Sequence, residues 1–343
     1  MSAGAPVSGT LPATSAASLV RRFVRRNAWV LGLWVLFFGL LIFTRIIQPN
    51  YGAAAFAILA LATLPYAFAT AGQTIVVISG GIDLSIAAMM TFLSVTAAVM
   101  MQGQSEEFGL FAVVFILAMG LVVGAINGAA VVLTRVPDIV VTLAFFFIWE
   151  GAALMVTDHP AGGSAQWLKD LILGRVGADF IPRDVTQWLP KALVLLVLAL
   201  GVVWIPLRRS RLGISMYAIG SDRLAAFRSG VPVDRTRVAA YSLAGLFAAM
   251  GGLVITMNTG VGTPIQGPYL LASVAAVVLG GVSLAGGKGG LVGPILAVFI
   301  LRLVRQDLTF MSVDPNVSQV IDGLIMVVVI IIGGLVALRS KRT

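Results

Sequence analysis

The chain has 343 residues, of which 59% are hydrophobic and only 11% are charged, and its mean hydropathy is +1.02. Soluble domains carry about 25% charged residues, and a soluble chain this apolar could not cover its surface with polar groups. The composition therefore excludes a soluble enzyme, a nucleic-acid-binding protein and a disordered scaffold. It predicts an all-α protein that crosses a membrane several times.

Cysteine is absent, and His159 is the only histidine. Disulfides, thiolate metal sites and metal sites built from several histidines are therefore excluded. The sequence also lacks a nucleotide-binding motif, paired catalytic acids and a Ser/His/Asp set, so we expect this chain to bind no metal or cofactor itself.

The first predicted element is a flexible cytoplasmic tail over residues 1–27, which contains the basic run Arg21–Arg26. A signal peptide also starts with basic residues, but the apolar run from Trp29 to Phe43 is not followed by a small-residue cleavage site. We therefore expect an uncleaved first span.

Runs of about 20 apolar residues between charged or turn-rich breaks predict ten spans within a membrane domain of residues 28–338, followed by a cytoplasmic tail over 339–343. Residues 51–82 carry no charge, so the break between the second and third spans falls either at Gly72-Gln73 or at Gly80-Gly81. The predicted spans are 28–47, 52–72, 74–100, 108–133, 137–157, 189–207, 238–258, 267–285, 289–310 and 319–338.

An even number of spans puts both termini on one side of the membrane. With the termini in the cytoplasm, most of the 23 basic residues fall in cytoplasmic segments, as the positive-inside tendency requires. Most of the net charge of +9 then records orientation. Two longer hydrophilic segments follow from this topology: a periplasmic loop over 158–188, with an amphipathic piece at 167–173, and a cytoplasmic loop over 208–237. The predicted outer segments hold the acidic residues Glu106, Glu107, Asp158, Asp170, Asp179 and Asp184.

Two segments that begin with a glycine pair are similar in sequence, since Gly80–Ser85 reads GGIDLS and Gly280–Ala285 reads GGVSLA. This similarity is called the glycine echo. The predicted topology gives the two spans opposite directions. Glycine-interrupted spans in two halves are typical of transport folds with inverted repeats. Glycine pairs are also common in membrane helices that pack closely without any repeat.

A short helix is predicted within the cytoplasmic loop. Ser221 or Asp222 is a suitable N-cap, Gly230 is a suitable stop, and Pro232 prevents the helix from continuing.

The predicted short helix has an apolar face, because Leu224 and Phe227 stand three residues apart while Arg223 and Arg228 stay in water. Two interpretations remain open for this helix. It either lies on anionic lipid or docks into a groove of a cytoplasmic partner.

Asp83 lies inside an apolar stretch, where a carboxylate needs a partner or water. The preceding glycines can break the helix and leave backbone groups free to bind. Asp83 is therefore either an element of a pathway or hinge, or simply a helix N-cap near the membrane face.

Other polar features have simpler interpretations. Asn127 lies among small residues and is expected to form an interhelical hydrogen bond. Glu150 and Asp322 lie near span ends and are expected to reach the interface. The run Gly286–Gly290 lacks the order of a phosphate-binding loop and predicts a tight cytoplasmic turn.

Four stretches, in order and spacing, resemble the transmembrane permeases of bacterial ABC importers for monosaccharides, the ribose, xylose and galactoside type. The resemblance covers about residues 50–335 and implies an inner-membrane permease that imports a monosaccharide or related polyol by alternating access. The stretches are Ile78–Ser85, Gly124–Gly128 with Pro137 and Thr142-Leu143, Tyr217–Val231, and Gly280–Gly287 with Gly289 and Gly293.

In such importers the short cytoplasmic helix is the coupling helix, seated in a cleft of a cytoplasmic ATPase that uses ATP and Mg. The resemblance also implies a second permease copy or paralogue, a periplasmic substrate-binding protein facing 158–188, and surrounding membrane lipid. The implied ATPase contacts are Asp222, Arg223, Leu224, Phe227, Arg228 and Gly230. The residues expected to line the translocation path are Gln73, Gly80, Gly81, Asp83, Ser85 and Asn127.

The chain departs from the family pattern at three places. Ile86-Ala87-Ala88 replaces the usual Val-Gly-Ser, Asp222 stands where Asn is common, and Leu301–Asp307 is more charged than the usual Asn-Gly-rich stretch. A permease for nucleosides or branched-chain amino acids and a stand-alone secondary transporter remain alternatives. The scarcity of clustered ionisable residues argues against a membrane-embedded enzyme.

Overall fold

The computed structural model describes residues 16–177 and 186–340. Residues 16–27, which the sequence assigns to the tail, belong to the first helix. The parts of the predictions that lie outside the described residues are 1–15, 341–343, Asp179 and Asp184.

The described residues confirm the predicted all-helical class. Apart from two isolated bridges, Ala161 with Gly262 and Arg175 with Pro190, their regular structure is helical. The helices are α1 (Ala16–Ile47), α2 (Ala53–Ile78), α3 (Ile86–Met101), α4 (Phe108–Thr134), α5 (Asp138–Val156), α6 (Gln166–Ile172), α7 (Lys191–Arg209), α8 (Arg211–Ser221), α9 (Arg223–Arg228), α10 (Val233–Thr259), α11 (Tyr269–Leu279), α12 (Val292–Phe310) and α13 (Pro315–Ser340).

Six helices of the described chain are long and apolar enough to cross a membrane. They are α2, α4, α5, α7, α10 and the Asn27–Ile47 part of α1. The apolar helices α3 and α11 are shorter, with 16 and 11 residues, while α12 carries charged side chains along its second half. Ten spans and the cytoplasmic placement of the termini therefore stay predictions.

The break between the second and third predicted spans lies at Gly80-Gly81, and the alternative at Gly72-Gln73 is wrong. Gly72 and Gln73 are buried inside α2, which continues to Ile78. The helix then stops because Gly80 adopts φ +83° and its neighbour Gly81 donates back to Val76 O at 3.0 Å. This left-handed turn is the common C-terminal stop in which glycine avoids a Cβ clash.

The second glycine pair forms the same turn, one residue out of register with the sequence echo. Gly281, rather than Gly280, adopts the left-handed conformation with φ +80°. Val282 then donates to Val277 O at 3.1 Å, as Gly81 does at the end of α2.

Both glycine turns lie at the same end of the bundle, the α9 end, which carries α8 and α9. Gly287, from the loop after α11, donates to Ile78 O at 2.9 Å, where α2 ends. Trp29 Nε1 donates to Leu279 O at 2.8 Å and fixes the end of α11 beside the start of the first span. The opposite directions expected for the two spans are therefore wrong, because α2 and α11 run the same way into their turns. The echo gives no support to inverted repeats.

The predicted cytoplasmic loop 208–237 consists largely of helix. It contains the end of α7, the whole of α8 and α9, and the start of α10 at Val233. The amphipathic piece predicted at 167–173 is confirmed as α6, whose Leu168 and Ile172 are buried. The bundle end that carries α6 is called the α6 end.

The buried core is centred on α10, which packs against α2, α3 and α4. Small residues let the backbones of α4 and α10 approach closely, as at many interfaces between membrane helices. A Cβ added at Gly124 would overlap the carbonyl oxygen of Tyr241 and lie 2.9 Å from Gly245 N. This contact therefore requires glycine on both helices.

We expect Gly124→Val to lower the free energy of unfolding by about 3 kcal/mol or to prevent folding, because the overpacked α4–α10 contact must separate. The matched control is Gly32→Val, since a Cβ at Gly32 meets nothing within 4 Å. Thermal unfolding of both purified variants in detergent measures the effect. Equal unfolding temperatures would contradict the packing described here.

Candidate functional site

Helix α9 has the ends that its sequence predicts. The side chain of Asp222 caps the helix by accepting a hydrogen bond from Ala225 N at 2.9 Å. Gly230 adopts φ +80°, and Val231 donates to Ala226 O at 3.0 Å, which completes a glycine stop. Local hydrogen bonds therefore fix both ends of this six-residue helix.

The outer face of α9 is apolar and exposed. Leu224 is 58% exposed and Phe227 is 67% exposed, and Arg223 and Arg228 are exposed beside them. Arg223 lies 3.9 Å from Asp234, but an exposed pair of this kind contributes little to stability. The face therefore offers two large apolar side chains flanked by positive charge.

A cleft of about 770 Å³ separates α9 from the turn that joins α4 to α5. Arg135 ends α4 in the left-handed conformation, with φ 56°. The cleft walls combine apolar and charged groups, including Leu133, Val136, Asp138, Leu224, Phe227 and Arg237.

The inner face of α9 is anchored. Ala226 is buried in a small apolar cluster with Ile219 of α8 and Val233 of α10, against which Val231 packs. Movement of α9 must therefore also move the end of α8 and the start of α10.

A junction of four glycines connects α8 to the ends of α2 and α11. A Cβ at Gly220 would overlap both Ile78 O and Gly287 N, and one at Gly286 would lie 2.9 Å from Gly80 Cα. The glycine junction, made of Gly80, Gly220, Gly286 and Gly287, thus brings three backbones into direct contact next to α9.

Tyr217 reinforces this junction from α8. Its hydroxyl donates to Gly289 O at 2.8 Å. Burial raises the pKa of Tyr217 above its ordinary value, and the charge of Arg208 offsets part of that rise. The phenol therefore stays protonated and keeps its donor role at neutral pH.

A buried ion pair makes a second connection, between α10 and α5. Arg237 Nη2 lies 2.5 and 2.6 Å from the two carboxylate oxygens of Asp138. Both side chains are largely buried. Tyr241, one turn along α10, donates to Asp138 Oδ2 at 2.9 Å. The Asp138 carboxylate therefore has both a counter-charge and a hydroxyl donor at a buried position, where an unpaired charge would be costly.

The segment Ser79–Ser85 between α2 and α3 is held by the same groups. Thr142 of α5 accepts from Leu84 N at 3.0 Å and donates to Asp138 O at 2.8 Å. A Cβ at Gly81 would lie only 2.6 Å from Asp138 Oδ2. The start of α5 thus connects the ion pair directly to the segment that carries Asp83.

Asp83 occupies a fully buried polar core. Its Oδ1 accepts from Ser85 N at 2.8 Å and from Ser85 Oγ at 2.6 Å. Asn127 Nδ2 donates to Ser85 Oγ at 2.6 Å, and Trp149 Nε1 donates to Asn127 Oδ1 at 3.0 Å. Asp83 Oδ2 has no hydrogen-bond partner in the described residues. The core therefore joins α4 and α5 to the start of α3 through side chains alone.

Gln73 completes the polar core from α2. With its amide oriented to match its neighbours, it donates to Asp83 O at 2.9 Å and accepts from Asp83 N at 3.3 Å. Four residues expected to line a path, Gln73, Asp83, Ser85 and Asn127, therefore meet in one cluster, and all four are fully buried.

The N-cap interpretation of Asp83 is close to the structure but two residues early. Ser85 is the N-cap of α3, and Asp83 caps the Ser85 N–H in a turn before the helix. Asp322 pairs with Arg305 at 2.5 Å. Arg237 lies within α10 and is buried rather than lying in a loop.

Sequence reasoning did not single out Asp138, Tyr241 or Trp149 as site residues. One signal was available: Asp138 and Arg237 have opposite charges and border two predicted spans on the same side. The described residues gather no group of three or more His, Asp or Glu side chains that could hold a metal ion.

We expect Asp138→Asn to lower the free energy of unfolding by about 3–5 kcal/mol, because it leaves the buried Arg237 without a counter-charge. Asp234→Asn is the matched control, since it removes only an exposed partner of Arg223. Thermal unfolding of the purified chain separates the two. A loss that is equally small in both variants would show that the buried pair is unimportant.

Known proteins resemble the chain over most of its length. Residues 49–330 match the family model described as branched-chain amino acid transport system / permease component. The ribose import permease protein RbsC of Bacillus subtilis strain 168 is 30% identical over 263 residues, 76% of this chain and 79% of that relative. The autoinducer 2 import system permease protein LsrD of Escherichia coli strain K12 is 27% identical over 270 residues, 78% of this chain and 80% of that relative. No solved structure matches the chain.

Proposed function

We propose that this chain, which belongs to the family of branched-chain amino acid transport system permease components, is the inner-membrane subunit of an ATP-driven ABC importer. It moves a monosaccharide or related polyol inward by alternating access. The names of two relatives, import permeases for ribose and for autoinducer 2, favour this substrate class over branched-chain amino acids or nucleosides.

The observation that carries the proposal is the geometry of α9. A six-residue helix with one anchored face and one exposed apolar face is too small to gain much from lying on lipid, where binding grows with buried apolar area. Two adjacent large side chains flanked by arginines are instead typical of a protein-docking surface. Helix α9 is therefore the coupling helix, and Asp222 and Gly230 set its two ends.

The occupant of this surface is a cytoplasmic ATPase, a separate subunit that binds ATP and Mg and hydrolyses ATP. The permease itself performs no chemistry and binds no cofactor. Leu224 and Phe227 supply the apolar contact, while Arg223 and Arg228 attract an acidic rim. A second permease copy or paralogue and surrounding lipid complete the membrane part.

The topology that fits this assignment has ten spans with both termini in the cytoplasm. The six long apolar helices, together with α3, α11, α12 and α13, supply that number. The α9 end then faces the cytoplasm, and the α6 end faces a periplasmic substrate-binding protein, which selects the substrate.

The buried polar core gates the path rather than lining an open channel. Gln73, Asp83, Ser85 and Asn127 are closed off within this conformation, so they meet substrate only after the segment Ser79–Ser85 moves. Gly80 and Gly81 are the hinge of that segment. Gly80 belongs to the glycine junction, and Gly81 lies against Asp138. Movement of α9 reaches the hinge through the glycine junction and the Arg237–Asp138 pair.

We expect Phe227→Asp to reduce copurification of the cognate ATPase at least about tenfold, because it puts a negative charge in the centre of the apolar contact. The amount of folded permease should not change, since Phe227 is exposed. Ile214→Asp, at an exposed position of α8 on the same end, is the matched control and should retain the ATPase.

Unchanged copurification in Phe227→Asp would contradict the coupling-helix assignment. A second experiment tests the importer itself: liposomes that contain this chain alone should take up neither radiolabelled ribose nor a radiolabelled sugar acid. Uptake without ATP and without partners would favour a stand-alone secondary transporter.

A further inference from the structure

In the part of the chain that the structure describes, a positive charge lies midway along α12 with no negative partner within 4 Å. Arg302 is about 15 Å from the start of a helix about 28 Å long. Its guanidinium carbon lies 4.7 Å from the centre of the Tyr66 ring, and Nη1 lies 3.4 Å from Tyr66 Oη. The buried Nε has no acceptor among the described residues.

The neighbouring charges on α12 do not neutralise Arg302. Arg305, one turn along α12, forms an ion pair with Asp322 at 2.5 Å. Asp307 lies five residues on, about 140° away around the helix, and neither of its carboxylate oxygens has a hydrogen-bond partner among the described residues. Within residues 16–177 and 186–340, no carboxylate oxygen lies within 4 Å of Arg302.

A second aromatic ring adjoins this charge. Tyr269, at the start of α11, packs edge-on against Tyr66, with ring centres 4.7 Å apart and planes at 62°. Tyr66 lies at the middle of α2. All three side chains are partly exposed in the single chain. They form the Arg302 patch, which consists of Tyr66, Tyr269 and Arg302.

The depth of the patch limits what can cover it. An arginine at the middle of a membrane helix is costly when it faces lipid, so it faces a water-filled cavity or another polar group. A guanidinium with free donors matches a carboxylate or phosphate, which it can bind through two parallel hydrogen bonds. Tyrosine rings beside it offer flat apolar faces and hydroxyl groups to a small polar ligand.

We infer that the Arg302 patch lines the translocation path and binds an oxyanion group on the transported molecule. The substrate class is then an acidic derivative of a monosaccharide or polyol. This inference rests on the proposed function, because it assigns the cargo of the same permease. Arg302 binds the acid group, and the two rings pack against the carbon skeleton.

The test uses the absence of native cysteine in the chain. Tyr269→Cys introduces a thiol beside Arg302. Val202→Cys introduces one at a 72% exposed position in the uncharged middle of α7. Right-side-out and inverted membrane vesicles, with and without ATP, are labelled with a sulfonate-bearing and a trimethylammonium-bearing methanethiosulfonate. The labelling rate of each variant with each reagent is divided by the rate of a free thiol with that reagent and by the amount of folded permease.

We expect Tyr269→Cys to react in at least one vesicle type and to react faster with the sulfonate reagent. The anion-to-cation rate ratio should exceed that of the free thiol by about tenfold, as a unit charge a few ångströms away predicts. Adding Arg302→Gln should return the ratio to the free-thiol value, whereas Arg302→Lys should retain most of the preference.

Two results would overturn the inference. Tyr269→Cys labelling no faster than Val202→Cys in every condition would show that the patch does not face water. A ratio that Arg302→Gln leaves unchanged would show that the guanidinium does not recruit anions. Labelling requires neither transport nor a partner, so these failures leave the importer assignment standing, and the Phe227 experiment decides that assignment separately.

Discussion

The buried pair between Arg237 and Asp138 is the interaction on which the arrangement of the site depends. It connects α10, the centre of the core, to the start of α5. Asp138 also accepts from Tyr241 and touches the backbone at Gly81. Because a charge buried without its partner is so costly, these elements are constrained to move together. Helix α9 lies on one side of this pair, and the segment that carries Asp83 lies on the other.

Backbone contact at the glycine junction provides the second connection. Side chains between helices can change rotamer and absorb a displacement, but backbones in direct contact cannot. The approach of Gly220 to Ile78 and Gly287 leaves no space even for a methyl group. Rotation of α8 together with α9 is therefore transmitted to the ends of α2 and α11. Both connections, the ion pair and the glycine junction, contact the segment Ser79–Ser85, which joins α2 to α3.

Local chemistry made α9 predictable from sequence, since Asp222, Gly230 and Pro232 determine its ends without help from the rest of the fold. The polar core was partly predictable, because Asp83 and Asn127 are polar residues in apolar runs that need partners. Its connection to Asp138 and Tyr241 was not predictable, because these residues are more than 50 positions from Asp83 and pair only through tertiary packing. The glycine echo misled for a similar reason: the same local turn forms at both pairs whichever way the helices run. Arg302 stood out in sequence as part of an unusually charged segment, but its lack of a partner required the structure.

In the proposed mechanism, the state of the ATPase reaches the Asp83 segment partly through the Arg237–Asp138 pair. Amide hydrogen exchange of residues 79–85, measured in the complex with the cognate ATPase with and without ATP, tests this claim most directly. We predict that ATP changes exchange in this segment of the parent protein. In Asp138→Asn, compared at a temperature where it is folded and still binds the ATPase, the change should be smaller, because only the glycine junction then connects α9 to this segment. An ATP-dependent change of equal size in both proteins, or none in the parent, would contradict the account.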